Sequence, residues 1–421
     1  MQFPLFEGDR RKMIILILLG LMVREFFSFW TGHPSDFELW VRLGYAMNHG
    51  GDPYGVLPPV SGLSFTNVFG NLNQATIAYL PLWPLLTGLI YALYSLIGLN
   101  DRFVYYFLLK QPVILGDVAL AYLMFSYVSH RKPGSAPFWV LSLWLFSPFT
   151  IIISGIWGMF DSIAICFILT SVMSRTQVSK AGWLGLGIFA KSIPIIYAAP
   201  TTMKALKDAW ALILALAIPA VLSIATFAIM KWPLSTLDAT LSSTVRKGGA
   251  SMSIWDGFFY LNYVGLIPAL TPLEYKVLGI LWIPILVICT WLAIRHFKTE
   301  TDYGLIQILL VCTLIFLIFK AQVTEQYALY LFALAAIDVA LWSPKRKLLL
   351  IGTMSVAMIY LVMNNYFLVR FLSPIYPGFV DFENGLYLTI GPVRYAVNFL
   401  AGTAFTFLNV KYLADVVMQR E

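Results

Sequence analysis

The chain has 421 residues and a formal net charge of +7, yet only 12% of its residues are charged and 59% are apolar, with a mean hydropathy of +0.79. A soluble domain runs at about 45–50% apolar and about 25% charged, so that class is excluded and lipid is the expected solvent. Lys and Arg are scattered in short clusters between apolar runs, which reads as membrane topology and argues against a nucleic-acid partner.

In chain order, the first apolar run, 13–32, follows Arg10-Arg11-Lys12. It is too long for a signal-peptide core and no small-residue cleavage site follows it, so an uncleaved anchor is expected. Further spans are predicted at 103–129, 137–154, 159–175, 209–230, 275–295, 304–320, 325–343, 347–367 and 391–412. The fold class is therefore all-α: a polytopic transmembrane helical bundle forming a single domain over 1–421. It has about 10–12 membrane helices once re-entrant half-helices are included.

Two apolar stretches, 78–98 and 182–203, are predicted not to cross. The second is bracketed by Arg175 and Lys180 before it and by Lys204 and Lys207 after it, and it contains Pro194 and Pro200. Proline removes helix hydrogen bonds, so a re-entrant pair of half-helices packed within protein is expected. The first outer loop, about 33–102, is too apolar to float free. Its segments 36–49 and 78–98 are expected to lie in the interface as amphipathic helices.

With this assignment the basic clusters fall in inner loops and both termini are cytoplasmic. The carboxylates Asp36, Glu38, Asp52, Asp101, Asp161, Asp238, Asp256, Glu325, Asp381 and Glu383 fall outside. A multi-pass protein of the cell membrane is expected in a prokaryote, or of the endoplasmic reticulum in a eukaryote. The three cysteines lie inside apolar runs and offer no disulfide framework. The absence of an internal repeat or inverted hydropathy symmetry disfavours a secondary transporter.

Asp36-Phe37-Glu38 stands just after the first span, followed by Gly50-Gly51-Asp52-Pro53-Tyr54. A sugar acceptor's hydroxyl must lose its proton as the new C–O bond forms, a task that a positioned carboxylate speeds by about 10²–10⁴-fold. Asp36 is the candidate base, with Glu38 beside it. The structural alternative is that Asp36 caps the helix beginning at Phe37, with Glu38 in its first turn. A divalent cation at Asp36 and Glu38 is a further option, whereas the four scattered histidines give no zinc spacing.

Asp161 sits at the predicted outer turn 157–161, where it either serves a ligand or caps the span that follows. Lys191 lies inside the re-entrant stretch, where an isolated ammonium costs about 2.5–3.5 kcal/mol, so it needs an anionic partner: Asp161, Asp117 or a lipid phosphate. Arg246 and Lys247 are basic on the basic-poor side and read either as phosphate ligands or as a solvated pair. Lys320 and Glu325-Gln326-Tyr327 mark another outer turn, which can bind sugar hydroxyls or pair internally. There is no Walker A loop, dinucleotide glycine fingerprint, HExxH or GxSxG.

A carboxylate outside the membrane needs a sugar delivered through the bilayer, and a polyprenyl-phosphate sugar fits. Its leaving phosphate calls for preorganised cations, for which Lys191, Arg246 and Lys247 are available. The ordered series Asp36-Phe37-Glu38, Gly50 to Tyr54, Tyr79-Leu80-Pro81-Leu82, Lys110 with Asp117, Phe146-Ser147-Pro148 and Gly158 to Asp161 continues through Lys191, Pro194 to Tyr197 and Pro200. It ends at Phe319-Lys320 with Thr324, Gln326 and Tyr327.

Over about 36–327 the chain thereby resembles the GT-C superfamily of membrane glycosyltransferases. Within it, the chain resembles the GPI mannosyltransferase that adds the first mannose, with its prokaryotic relatives. The resemblance implies inverting transfer of mannose from dolichyl-phosphate mannose, or another polyprenyl-phosphate donor, to a glycan or glycolipid acceptor. It implies Asp36 as base and Lys191, Lys320 and Gln326 as polar ligands. The motif here reads Asp-Phe-Glu where the family carries Asp-x-Asp, and Met159 stands where relatives often have Gln. The rival readings are a secondary transporter with a midplane site around Lys191, and a lipid flippase or noncatalytic glycosylation subunit.

Overall fold

A computed structural model describes residues 7–65, 77, 79–203, 208–236 and 251–419. Every regular element among them is helical. Arg246 and Lys247 lie outside the described residues. Five helices are long and apolar enough to cross a membrane: Arg102–Ser129, Ala209–Met230, Lys276–His296, Asp302–Phe319 and Pro344–Asn364. A sixth is reached if the bent pair Ser135–Phe146 and Pro148–Trp157 is one span. The chain is a multi-pass membrane protein. Two other expected crossings, 159–175 and 325–343, fall on shorter helices, Asp161–Met173 and Ala328–Leu341, each about 20 Å at 1.5 Å per residue.

Helix α1 (Glu7–Ser28) leads to α2 (Asp36–Asn48), α3 (Leu82–Ile97) and α4 (Arg102–Ser129). The interfacial expectation divides between α2 and α3. Phe37, Trp40, Val41 and Leu43 of α2 are buried, whereas Leu89, Leu93, Leu96 and Ile97 of α3 are exposed. Helix α3 packs over α2 and presents a leucine face outward, while α2 is core. The reason is aromatic: Trp40 packs edge-on against Trp83 and Phe160, and Phe37 against Tyr106.

The predicted span 137–154 is broken. Helix α5 (Ser135–Phe146) stops at Ser147, and α6 (Pro148–Ile151) starts a new direction bent by 48°. Proline lacks an N–H and pushes the residue before it out of the helical region, and Ser147 is extended at ψ 125°. Helix α6 runs into a π-helical turn, Ile152–Trp157, closed by Gly158 at φ +88°, a conformation that glycine adopts without penalty.

Helices α7 (Asp161–Met173), α8 (Gln177–Ala190) and α10 (Ala209–Met230) pack together. The break predicted from Pro194 occurs: α8 ends at the extended Lys191, and a 3₁₀ turn (Ile193–Tyr197) leads into α9 (Ala198–Thr202). The later helices are α11 (Asp256–Tyr263), α12 (Pro272–His296), α13 (Asp302–Phe319), α14 (Ala328–Leu341), α15 (Lys347–Asn364) and α16 (Gly378–Met418). Helix α16 has 41 residues, about 60 Å, far beyond the 391–412 expected and longer than a hydrocarbon core.

A buried polar knot ties the first half together. Arg24 of α1 pairs with Asp117 of α4 at 2.6 Å, both fully buried. Arg24 also donates to the Gly20 and Leu145 carbonyls. Asp117 accepts further bonds from Trp144 Nε1 and Ser162 Oγ.

Candidate functional site

The site begins at the N-terminus of α2. Free N–H groups there need acceptors, and Ser35, at the cap position, makes no side-chain cap. His33 supplies one: its Nδ1 accepts from the Ser35 and Asp36 backbone N–H groups, both at 3.2 Å. Asp36 therefore does not cap its own helix, and its Oδ2 accepts the Trp157 indole N–H at 3.0 Å. Burial, reinforced by Arg370, holds His33 well below the usual imidazole range. The His33–Asp36 contact at 3.6 Å thus involves a neutral ring. The Asp36 side chain keeps 28% of its surface exposed.

Trp157 reaches Asp36 because of the bend at Pro148 and the π turn. Lys110 of α4 fixes that turn, its Nζ donating to the Gly155 and Ile156 carbonyls and to Thr31 O and Oγ1 at 2.7–2.9 Å. The Trp157 ring stacks on His33 at 4.6 Å, and Phe371 packs against both. Phe371 also accepts the Gly32 N–H through its carbonyl. It sits on a strap, Tyr366–Leu372, in which Tyr366, Phe367 and Leu368 all have positive φ. Such strain in non-glycine residues persists only where packing enforces it, and it concentrates at functional sites.

Glu325, on the turn before α14, faces the same region and feels the charges of Asp36 and Arg370. Its Oε1 accepts from Asn364 Nδ2 at 2.6 Å and Asn365 Nδ2 at 3.4 Å. Burial raises its carboxyl above the ordinary range against these bonds.

Glu38 is placed differently from the sequence expectation. It is fully buried, with Oε1 accepting from Arg42 Nε at 2.6 Å and Oε2 from the Phe65 N–H at 3.0 Å. It clasps the first loop onto α2, and burial pushes its carboxyl up against the pull of Arg42. Asp36 and Glu38 are not aimed at one point, so they do not form the two-carboxylate cation site considered from sequence. Among the described residues no group of three or more His, Cys, Asp or Glu side chains is arranged to hold a metal ion.

Lys191 takes one of its three expected partners, Asp161, at 2.7 Å with both groups buried. Asp117 is committed to Arg24. The Lys191 ammonium lies 5.0 Å from the Phe160 ring centre and 5.8 Å from those of Tyr79 and Tyr327. Lys320 is instead set against Trp282 and Phe316, where burial lowers its ammonium to about 8. Gln326 is buried, and its Oε1 has no hydrogen-bond partner among the described residues.

The structure thus brings Asp161, Lys191 and Tyr327 together, and Asp36 with Trp157, in two adjoining clusters. The turns 157–161 and 325–327 join them, each giving one residue to either cluster. Sequence reasoning missed His33 as the helix cap, Trp157 as the donor to Asp36, and Asn364, Asn365 and Arg370. The first had a local signal, an imidazole three residues before Asp36; the last three had none, because they arrive from the far end of the chain.

No family model matches the sequence, and no curated protein does. Two similar solved structures are both of ArnT from Cupriavidus metallidurans. The form bound to undecaprenyl phosphate is 13% identical, with 97% of this chain and 77% of that one covered and a TM-score of 0.48. The apo form is also 13% identical, with 98% and 78% covered and a TM-score of 0.49.

Proposed function

We propose that the chain is a membrane glycosyltransferase. It moves a hexose, mannose by sequence resemblance, from a polyprenyl-phosphate (dolichyl-phosphate) donor to a hydroxyl of a glycan or glycolipid acceptor at the extracytoplasmic face. The observation that carries this reading is Asp36: a carboxylate released from helix capping by His33, oriented by one indole N–H and left partly open beside the Arg370 strap.

In the step proposed, the acceptor oxygen attacks the anomeric carbon from the face opposite the phosphate. Asp36 takes the acceptor's proton, the C1–O bond to the phosphate breaks, and polyprenyl phosphate leaves with the electron pair, inverting the centre. Trp157 fixes the carboxylate's orientation without neutralising it, since an indole is a neutral donor. Glu38 holds the loop that carries the base. The Lys191–Asp161 pair, with Tyr327 and Gln326, forms the proposed substrate-facing wall; Lys191, Arg246 and Lys247 remain proposed ligands of the phosphate, and Lys320 a proposed ligand of sugar hydroxyls.

A transporter would use the same buried Lys191–Asp161 pair at its helix break, and one assay separates the two. Purified protein in liposomes receives labelled polyprenyl-phosphate mannose and a hydroxyl acceptor such as octyl mannoside, and release of polyprenyl phosphate is scored. Turnover by wild type and its loss in Asp36→Asn are expected. Wild type that releases none while moving label across the bilayer overturns the transferase reading.

A further inference from the structure

Behind Glu325 lies a second polar cluster, built from three helices. Helix α15 contributes Tyr360 and Asn364, one turn apart; α16 contributes Arg394 and Asn398, with the same spacing; Asp256 opens α11. Arg394 donates to Tyr366 OH at 2.8 Å and to Asn364 Oδ1 at 2.9 Å, and Asn398 Nδ2 donates to the same Oδ1 at 3.3 Å. Asp256 Oδ1 accepts the Ser251 N–H at 2.9 Å and feels both Arg394 and Glu325. The Tyr360 hydroxyl feels Asp256, Glu325 and Arg394 in turn.

These groups are expensive to leave unmatched. Tyr360 and Asn398 are each 1% exposed and Asp256 2%. Yet Tyr360 OH, Asn398 Oδ1 and Arg394 Nε have no hydrogen-bond partner among the described residues. A buried polar atom without a partner forfeits the water it left, so three of them in one polar cluster call for a ligand or trapped water to complete them. The open positions alternate in kind: a guanidinium N–H donates, an amide oxygen accepts, and a phenol does either. That alternation matches a ring of hydroxyls.

Charge narrows the class. Among the described residues the Arg394 guanidinium is set off by Asp256, with Glu325 beyond it, so these groups hold no surplus of positive charge. A phosphate would need such a surplus, whereas a neutral polyol does not. Asn364 links the cluster toward the base: its Oδ1 receives Arg394 and Asn398, and its Nδ2 donates to Glu325, which feels the charge of Asp36.

We infer that Tyr360, Asn364, Arg394, Asn398 and Asp256 form the subsite for the acceptor's polyhydroxylated headgroup, holding it so that one hydroxyl reaches Asp36. The inference rests on the transferase reading. It assigns to α15 and α16 a substrate contact distinct from the donor wall at Lys191.

The test uses full-length protein in liposomes, polyprenyl-phosphate mannose as donor, and octyl mannoside or 1-octanol as acceptor. Asn398→Leu and Tyr360→Phe are compared with wild type. Each is expected to raise the KM for octyl mannoside by about tenfold, the effect of one uncharged hydrogen bond, while the donor KM and the KM for octanol move less than about twofold. Equal shifts for octyl mannoside and octanol, or none, overturn the subsite. Donor turnover absent from wild type overturns the transferase reading instead. A binding measurement guards against misfolding: saturating methyl mannoside is expected to raise the thermal midpoint of wild type but not of Asn398→Leu. Equal stabilisation of both, or of neither, means that the cluster holds water only.

Discussion

Two carboxylates, Asp117 and Asp36, stand close to the same bent helix and have opposite surroundings. Asp117 is fully buried, ion-paired with Arg24, and accepts from Trp144, Ser154 and Ser162 as well. Asp36 meets a neutral indole and a neutral imidazole, and is partly open to its surroundings. Both receive an indole N–H from the chain just before or just after Pro148. The difference lies in burial and in what each group is seen to touch: Asp117 sits in a fully buried ion pair with every lone pair used, a lock, whereas Asp36 takes the Trp157 indole N–H and keeps part of its surface open.

Removing one side of the lock should have the largest effect. Arg24→Met strands Asp117 in the interior and should cost about 3–5 kcal/mol of stability, read from unfolding in denaturant. A loss below about 1 kcal/mol would show that the Arg24–Asp117 pair is no lock.

Asp36→Asn should do the reverse, lowering release of polyprenyl phosphate at least about a hundredfold with the unfolding midpoint close to wild type. Activity that survives the change would move the base elsewhere.

Lys191 and Asp161 sharpen the comparison, being paired like the lock yet adjoining the site. Either Lys191→Met or Asp161→Asn alone should destabilise. The double variant should fall short of the sum by about 1–3 kcal/mol, as residues in direct contact do. Strict additivity would show that the pair is not coupled. Unchanged affinity of Lys191→Met for a polyprenyl phosphate would remove Lys191 from phosphate binding.

The smallest effect is a pH dependence. Burial raises Asp256 from the usual 3.8 to about 6. Between these values the folded chain holds a proton that the unfolded chain has lost, so the contribution of Asp256 to stability is full below about 4 and fades as pH rises through about 6. Asp256→Asn should flatten this part of the stability profile, measured by thermal unfolding across pH 4–7. A profile that stays as steep as wild type would assign the slope to Glu325 or another group.

Much of this was legible in the residues. Apolar runs announced the helices, Pro194 the break after Lys191, and the partner list for Lys191 contained Asp161. The roles of neighbours in sequence were less legible. Asp36 and Glu38, two residues apart in one turn, point to different tasks because α2 is packed on both sides and Arg42 takes Glu38. Hydropathy places Ser147 and Pro148 inside one span, 137–154, and is blind to the 48° change of direction between them.

Composition alone settled the solvent and hence the all-helical class, because a chain this apolar must satisfy its backbone hydrogen bonds within its own segments. Order along the chain also fixed the break at Lys191, since proline acts locally. Tertiary structure decided which charges neutralise one another and which polar atoms are left over. Arg24 meets Asp117 across 93 residues, and Asn364 meets Glu325 across 39. Such pairings depend on which helix faces pack together, and no local pattern of residues records that.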